Sequence, residues 1–185
     1  LPCAQGTYCP ARATSMVPCP SGSFCATPSN ITVCTLGHYC PEASTAEKLC
    51  PAGSYCVSTI QRLDCAPGSF CPPGSTALTP CPAASFCSTP SGRTTCAVGS
   101  YCPTGSIASP ECPAGGYCAT PANRTACELG SYCPLGSIAE RNCSAGHYCA
   151  TPAAMALCDR GDYCPERTVR PQPCPAGTYC PAPNV

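Results

Sequence analysis

The sequence predicts a small disulfide-rich tandem repeat, an elongated rod or solenoid of short strands and turns with little or no helix. Three observations predict it. Cysteine supplies 24 of the 185 residues, about 13 per cent, where roughly 8–10 per cent already marks a disulfide scaffold. The cysteines recur with a fixed period. The 25 prolines return in every period, and no stretch keeps the 3.6-residue apolar rhythm of a helix.

Cys3, Cys34, Cys65, Cys96, Cys127 and Cys158 stand thirty-one positions apart and open six units. Each unit has the form C-x5-C-x9-C-x5-C, with eight residues closing the gap to the next. The remaining cysteines are Cys9, Cys19 and Cys25; Cys40, Cys50 and Cys56; Cys71, Cys81 and Cys87; Cys102, Cys112 and Cys118; Cys133, Cys143 and Cys149; and Cys164, Cys174 and Cys180. The predicted repeats are 3–33, 34–64, 65–95, 96–126, 127–157 and a truncated 158–185. Neither end carries a capping pattern, so the chain reads as a window of a longer array. Units of about 31 residues fall below the roughly 40 at which a domain usually needs covalent help. Bridges worth about 2–4 kcal/mol each are therefore the expected main stabiliser.

Every unit holds two halves built on C-x-x-G-x-[YF]-C, as in Cys34-Thr35-Leu36-Gly37-His38-Tyr39-Cys40. The twelve heptapeptides contain every aromatic of the protein, nine Tyr and three Phe. Their glycine, replaced once by Ala84, is expected at a positive φ in a tight turn. The halves differ regularly. Proline follows the closing cysteine of every first half, from Pro10 to Pro165, whereas most second halves continue with a small residue and then Thr-Pro. Four cysteines allow three pairings. The unequal halves point to first-with-third and second-with-fourth bridges inside a unit, with bridges between units as an open alternative.

The strings Cys174-Pro175-Ala176-Gly177-Thr178-Tyr179-Cys180-Pro181 and Cys112-Pro113-Ala114-Gly115-Gly116-Tyr117-Cys118 resemble the ephrin-receptor-like cysteine-rich repeat. The resemblance covers essentially the whole chain. Its motif is specific for the module and unspecific for function. Uninterrupted arrays are most similar to mastigoneme proteins, which build flagellar hairs, and to related protist surface proteins. The resemblance implies a heavily glycosylated structural fibre, with sugars often on hydroxyproline, at the cell surface or on a flagellar or ciliary filament. The partners so implied are covalent glycans and copies of the chain or other filament proteins.

Sequons at Asn30, Asn123 and Asn142 are the candidate N-glycosylation sites. Asn30 and Asn123 lie three full periods apart and so occupy one register. Asn142 is the weaker candidate, because the cysteine expected to be bridged, Cys143, is its sequon's middle residue. Thr27, Thr89, Thr120 and Thr151 are candidates for O-linked sugar, and Pro28, Pro90, Pro121, Pro152 and Pro183 for hydroxylation. Sugars would help to keep in solution a chain with only nine basic and nine acidic residues. The competing view is that these prolines only stiffen loops.

Other functions fit less well. Zinc favours cysteines two to four residues apart, whereas every close pair here has five residues between, so no metal and no cofactor is expected. His38 and His147 occupy a variable motif position, and no nucleophile, base and orienting group recur together, so no enzyme is expected. The balanced charge offers nothing to nucleic acid. No apolar run approaches the roughly 20 residues of a membrane span. A row of tyrosines could stack on sugars, but as the only sizeable apolar group of its half each is expected mainly to pack over the neighbouring bridge. The abundance of cysteine points to an oxidising, extracellular compartment. The expected function is a structural component of a glycosylated extracellular filament or surface coat. The alternative is the stalk or ligand-binding region of a surface receptor or adhesin.

Overall fold

The computed structural model describes residues 2–180. Its repeating element is the heptapeptide and the short hairpin that grows from it. In Pro20-Ser21-Gly22-Ser23 the Ser23 N–H donates to the Pro20 carbonyl at 3.1 Å, and Gly22 takes φ +85° at the third turn position. A type II turn requires positive φ there, which glycine adopts without a Cβ penalty. Having turned, the chain runs through the residue pair ending in the aromatic, here Ser23–Phe24, which pairs antiparallel with Thr32–Val33 just before the next opening cysteine. The same hairpin recurs along the described residues, mostly as two-residue strands and, at Ser69↔Pro80 and Ser100↔Glu111, as single bridges. Such pairs are too short to stand alone in water.

The turn also decides the disulfides. By reversing the chain between its two cysteines it brings their Cα atoms to 5.8–6.6 Å, inside the range a bridge demands. All twelve heptapeptides close on themselves, from Cys3–Cys9 to Cys174–Cys180, and no free cysteine remains among the described residues. The expected first-with-third and second-with-fourth pairing is therefore corrected. Each bridge closes a loop of seven residues, for which the chain-entropy relation yields about 2.4 kcal/mol.

The inequality of the halves has another cause. First-half bridges hold Cα atoms 6.4–6.6 Å apart and second-half bridges 5.8–6.0 Å apart, so two classes alternate. They also sit in different surroundings. A Cβ built on Gly37 or Gly99 would lie 2.8 or 2.9 Å from the carbonyl oxygen of Gly74 or Gly136 in the following repeat. At the second-half glycines Gly53 and Gly115 the nearest atoms would be 3.6 and 3.8 Å away, an ordinary contact. Ala84, the one alanine in this role, stands in a second half and takes φ +62°.

A second left-handed position was not anticipated. Three residues after each first-half closing cysteine the backbone again adopts positive φ, at Arg12, Ala43, Gly74, Gly105, Gly136 and Arg167. The turn is fastened by a hydroxyl where one is present: Ser75 Oγ donates to the Pro72 carbonyl and Thr168 Oγ1 to that of Pro165, each at 2.6 Å.

Two compact units are present, Leu1–Cys81 with Cys87–Arg93 and Pro82–Phe86 with Thr94–Val185. Within each, successive half-repeats are joined by backbone hydrogen bonds. In the first unit the Cys40 N–H donates to the Thr59 carbonyl and the Gly53 N–H to that of Cys71, both at 2.8 Å. In the second, Cys118 donates to Ser137 and Gly146 to Cys164, again at 2.8 Å. Proline suits the Thr-Pro register because only its carbonyl is used there, as when Cys9 donates to Pro28 and Cys133 to Pro152.

Cystine is the core. Among the described residues every buried apolar side chain is a bridged cysteine, from Cys19 to Cys164, and the accompanying buried polar residues are Ser and Thr such as Ser54, Ser131 and Thr168. Large aliphatics stand outside it; Leu36 is 75% exposed and Val98 71%. The aromatics are mostly half-buried rather than central, and Tyr179 is 83% exposed. Hence packing against the core accounts for part of each ring only. No helix of the described residues is long and apolar enough to cross a membrane.

Candidate functional site

The Thr-Pro segments lie at hairpin tips. In the fourth repeat Gly116–Thr120 pairs with Asn123–Ala126, and the register Thr120↔Asn123 leaves Pro121-Ala122 as the connecting turn. The fifth repeat repeats this with Thr151↔Ala154 around Pro152-Ala153. Proline's fixed φ, about −65°, suits the second position of such a turn. In the first and third repeats the tips are four-residue turns of the same length: the Asn30 N–H donates to the Thr27 carbonyl at 3.2 Å and Gly92 to Thr89 at 3.1 Å.

Thr27, Thr89, Thr120 and Thr151 are exposed, whereas Pro28, Pro90, Pro121 and Pro152 are half-buried. Pro183 lies outside the described residues. Thr27 Oγ1 and Thr89 Oγ1 reach only the neighbouring hydroxyls of Ser29 and Ser91, at 3.3 and 3.4 Å. Asn30 and Asn123 are exposed at the same point of the tip, the fourth turn residue. A sugar on either would be attached at an exposed hairpin end.

Asn142 is placed differently. It lies in the strand Arg141–Asn142, next to the fully buried Cys143. Its Nδ2, the atom a glycan would occupy, donates to Glu166 Oε1 at 2.9 Å, and its Oδ1 accepts from Arg167 Nη1 at 3.3 Å. Arg167 in turn reaches Glu128 Oε2 at 3.3 Å. This side chain ties the fifth repeat to the sixth. Sequence reasoning had no access to that role, because both partners come from the following unit.

The histidines make local contacts. Thr35 Oγ1 lies 3.0 Å from both His38 Nδ1 and Glu47 Oε2. A hydroxyl has one hydrogen, and the carboxylate can only accept, so the hydroxyl donates to Glu47 and leaves His38 to donate to Thr35. That polarity is opposite to the one a base needs when it activates a nucleophile. Glu47 Oε2 also accepts the Thr35 backbone N–H at 3.0 Å. These bonds, the backbone one foremost, hold the Glu47 carboxyl below the usual range, with His38 adding a smaller effect. His147 Nδ1 lies 3.3 Å from Ser144 Oγ in the equivalent corner.

Arg93 sits over the Phe70 ring, 5.5 Å from its centroid, and screens one aromatic face. Among the described residues no three His, Cys, Asp or Glu side chains gather as metal ligands. Twelve bridges suit an oxidising compartment outside the cytosol. No model of a known protein family matches the chain, and no curated protein matches its sequence.

Proposed function

We propose that the chain is a structural component of a glycosylated extracellular filament or surface coat, of the mastigoneme kind that its repeats resemble. The observation that carries this reading is the cystine core itself. From Cys19–Cys25 to Cys158–Cys164 the half-repeats bury their bridges, bond to their neighbours through cysteine amides such as those of Cys40 and Cys118, and leave the threonines of the Thr-Pro tips exposed. An architecture so uniform suits a part whose task is shape and durability, since binding and catalysis ask for a locality that differs from the rest. Asn30 and Asn123 are the N-glycan sites of this reading, with Thr27, Thr89, Thr120 and Thr151 and the adjoining prolines as further points of attachment. Its partners are further copies of the chain or other filament proteins.

Electron microscopy of the native, unreduced material tests the reading. A continuous fibre with an axial repeat and density at Asn30 and Asn123 is expected. Discrete short rods would refute the filament and turn attention to a receptor or adhesin stalk.

A further inference from the structure

We propose that the chain is an extensible tether: pulled at its ends, it lengthens by releasing one linker between bridged heptapeptides after another, while the heptapeptides stay closed. The proposal concerns how the chain carries load and holds whether or not the chain belongs to a fibre.

The bridges and the linkers never overlap. Every disulfide joins cysteines six positions apart, and the nine- and eight-residue linkers between heptapeptides are spanned by none. Load entering at Cys34 crosses the bridge to Cys40 and bypasses the five residues between them. It must then travel through 41–49 before reaching Cys50. What holds that linker folded is non-covalent. The Cys50 N–H donates to Gly37 at 2.9 Å, His38–Tyr39 pairs with Lys48–Leu49, the Ala43 N–H donates to Cys19 at 2.8 Å, the Ser44 carbonyl accepts from Cys25 at 2.9 Å, and Glu47 accepts from Thr35 at 3.0 Å. The next linker is held alike, by Cys65 donating to Gly53 at 2.9 Å and Cys40 donating to Thr59 at 2.8 Å.

Little else resists. Among the described residues the buried apolar groups are the cystines, which belong to the closed loops, so freeing a linker uncovers no aliphatic core. The bonds named above join neighbouring half-repeats, which is the condition for release and recovery in small units rather than as a whole. The covalent loops meanwhile keep each turn closed, so a released linker has its start and end preformed for refolding.

The lengths follow from the chain. Between Cys3 and Cys180 about 105 of about 177 residue steps lie outside the bridged loops, and at about 3.4 Å per step with about 6 Å per bridge the drawn-out oxidised chain reaches about 430 Å. Full reduction raises the ceiling to about 600 Å, and one linker contributes no more than about 35 Å. First-with-third and second-with-fourth bridges would instead stop the oxidised chain at about 310 Å.

The test is single-molecule force spectroscopy on the whole oxidised chain held by handles at its two ends. Expected are successive lengthenings, each no larger than one linker, up to a ceiling of about 430 Å, with recovery on relaxation. Adding a thiol reductant under load should raise that ceiling to about 600 Å. Overturning results are no lengthening before a handle detaches, a ceiling of about 310 Å, or release of several repeats in one step.

Discussion

Replacing Gly37 and Gly53 separately by alanine tests whether the two halves of a repeat are built for different surroundings. Both glycines are left-handed, at φ +83° and +84°, so each alanine carries the same backbone penalty. That penalty is about 1–2 kcal/mol for an L-residue, reduced by about 0.4–1 kcal/mol because alanine restricts the unfolded chain. Gly53→Ala adds nothing further, since its Cβ meets Ser91 Cβ at 3.6 Å. A net loss of about 0.5–1 kcal/mol is expected there. Gly37→Ala drives its Cβ to 2.8 Å from the carbonyl oxygen of Gly74, whose own N–H is held by the Cys50 carbonyl at 2.8 Å. Overpacking of that kind adds about 1–3 kcal/mol, for a total of about 1.5–4 kcal/mol.

Because a repeat array opens locally, native-state hydrogen exchange is a better assay than a global melt. The reporters are the amides that donate to the altered residues, Cys50 for Gly37 and Cys65 for Gly53. Protection is expected to fall about 2–5-fold at Cys65 in Gly53→Ala and at least about 10-fold at Cys50 in Gly37→Ala. Equal losses, or a larger loss in Gly53→Ala, would refute the distinction between the halves.

Ser131 Oγ is fully buried without a hydrogen-bond partner among the protein atoms, so Ser131→Ala removes a hydroxyl whose desolvation costs about 1–3 kcal/mol. Protection of the Cys143 amide, which donates to Gly130, should hold or rise in that variant, and a fall of tenfold or more would contradict this. Glu47 should titrate below a glutamate in a free peptide when followed by NMR, with the Thr35 amide shift tracking it. Because its folded value lies below its unfolded one, the cap it provides is complete above the unfolded value of 4.5 and is lost as pH falls through the folded value. An ordinary or raised midpoint would remove the cap. Glycopeptide mass spectrometry should find sugar at Asn30 and Asn123 and none at Asn142, and full occupancy of Asn142 would contradict its role as a strut to Glu166 and Arg167.

The heptapeptide was legible because one physical requirement produced one visible residue. A left-handed turn position selects glycine, and eleven of twelve copies show it, so the turn, the strand after it and the disulfide-rich repeat class followed from Gly6 to Gly177. The second left-handed position was hidden because only Gly74, Gly105 and Gly136 mark it, while Arg12, Ala43 and Arg167 accept the strain. Pairing is hidden for a different reason. Unequal halves suggest bridges that cross between them, yet the inequality goes with stacking: Gly37 abuts a carbonyl of the next repeat and Gly53 does not. Contacts across repeats leave no mark in the spacing of cysteines. The same limit applies to Asn142: the sequence marks it down only for its neighbour Cys143, whereas its partners Glu166 and Arg167 come from 24 and 25 residues away. The Thr-Pro segments stand out in the sequence by composition and shared register, while their place at hairpin tips emerges only from the pairing Thr120↔Asn123 and Thr151↔Ala154.

A disulfide map of the unreduced protein tests the local bridges most directly, since the cystine core and the extensible linkers both depend on them. After denaturation with free thiols blocked, trypsin cutting behind Lys48 and Arg62 releases the segment 49–62, which contains Cys50 and Cys56. The local bridge Cys50–Cys56 predicts that this peptide appears alone without reductant, lighter by two hydrogens than after reduction. Finding it joined to the peptide that carries Cys34 and Cys40 until reductant is added would contradict the account.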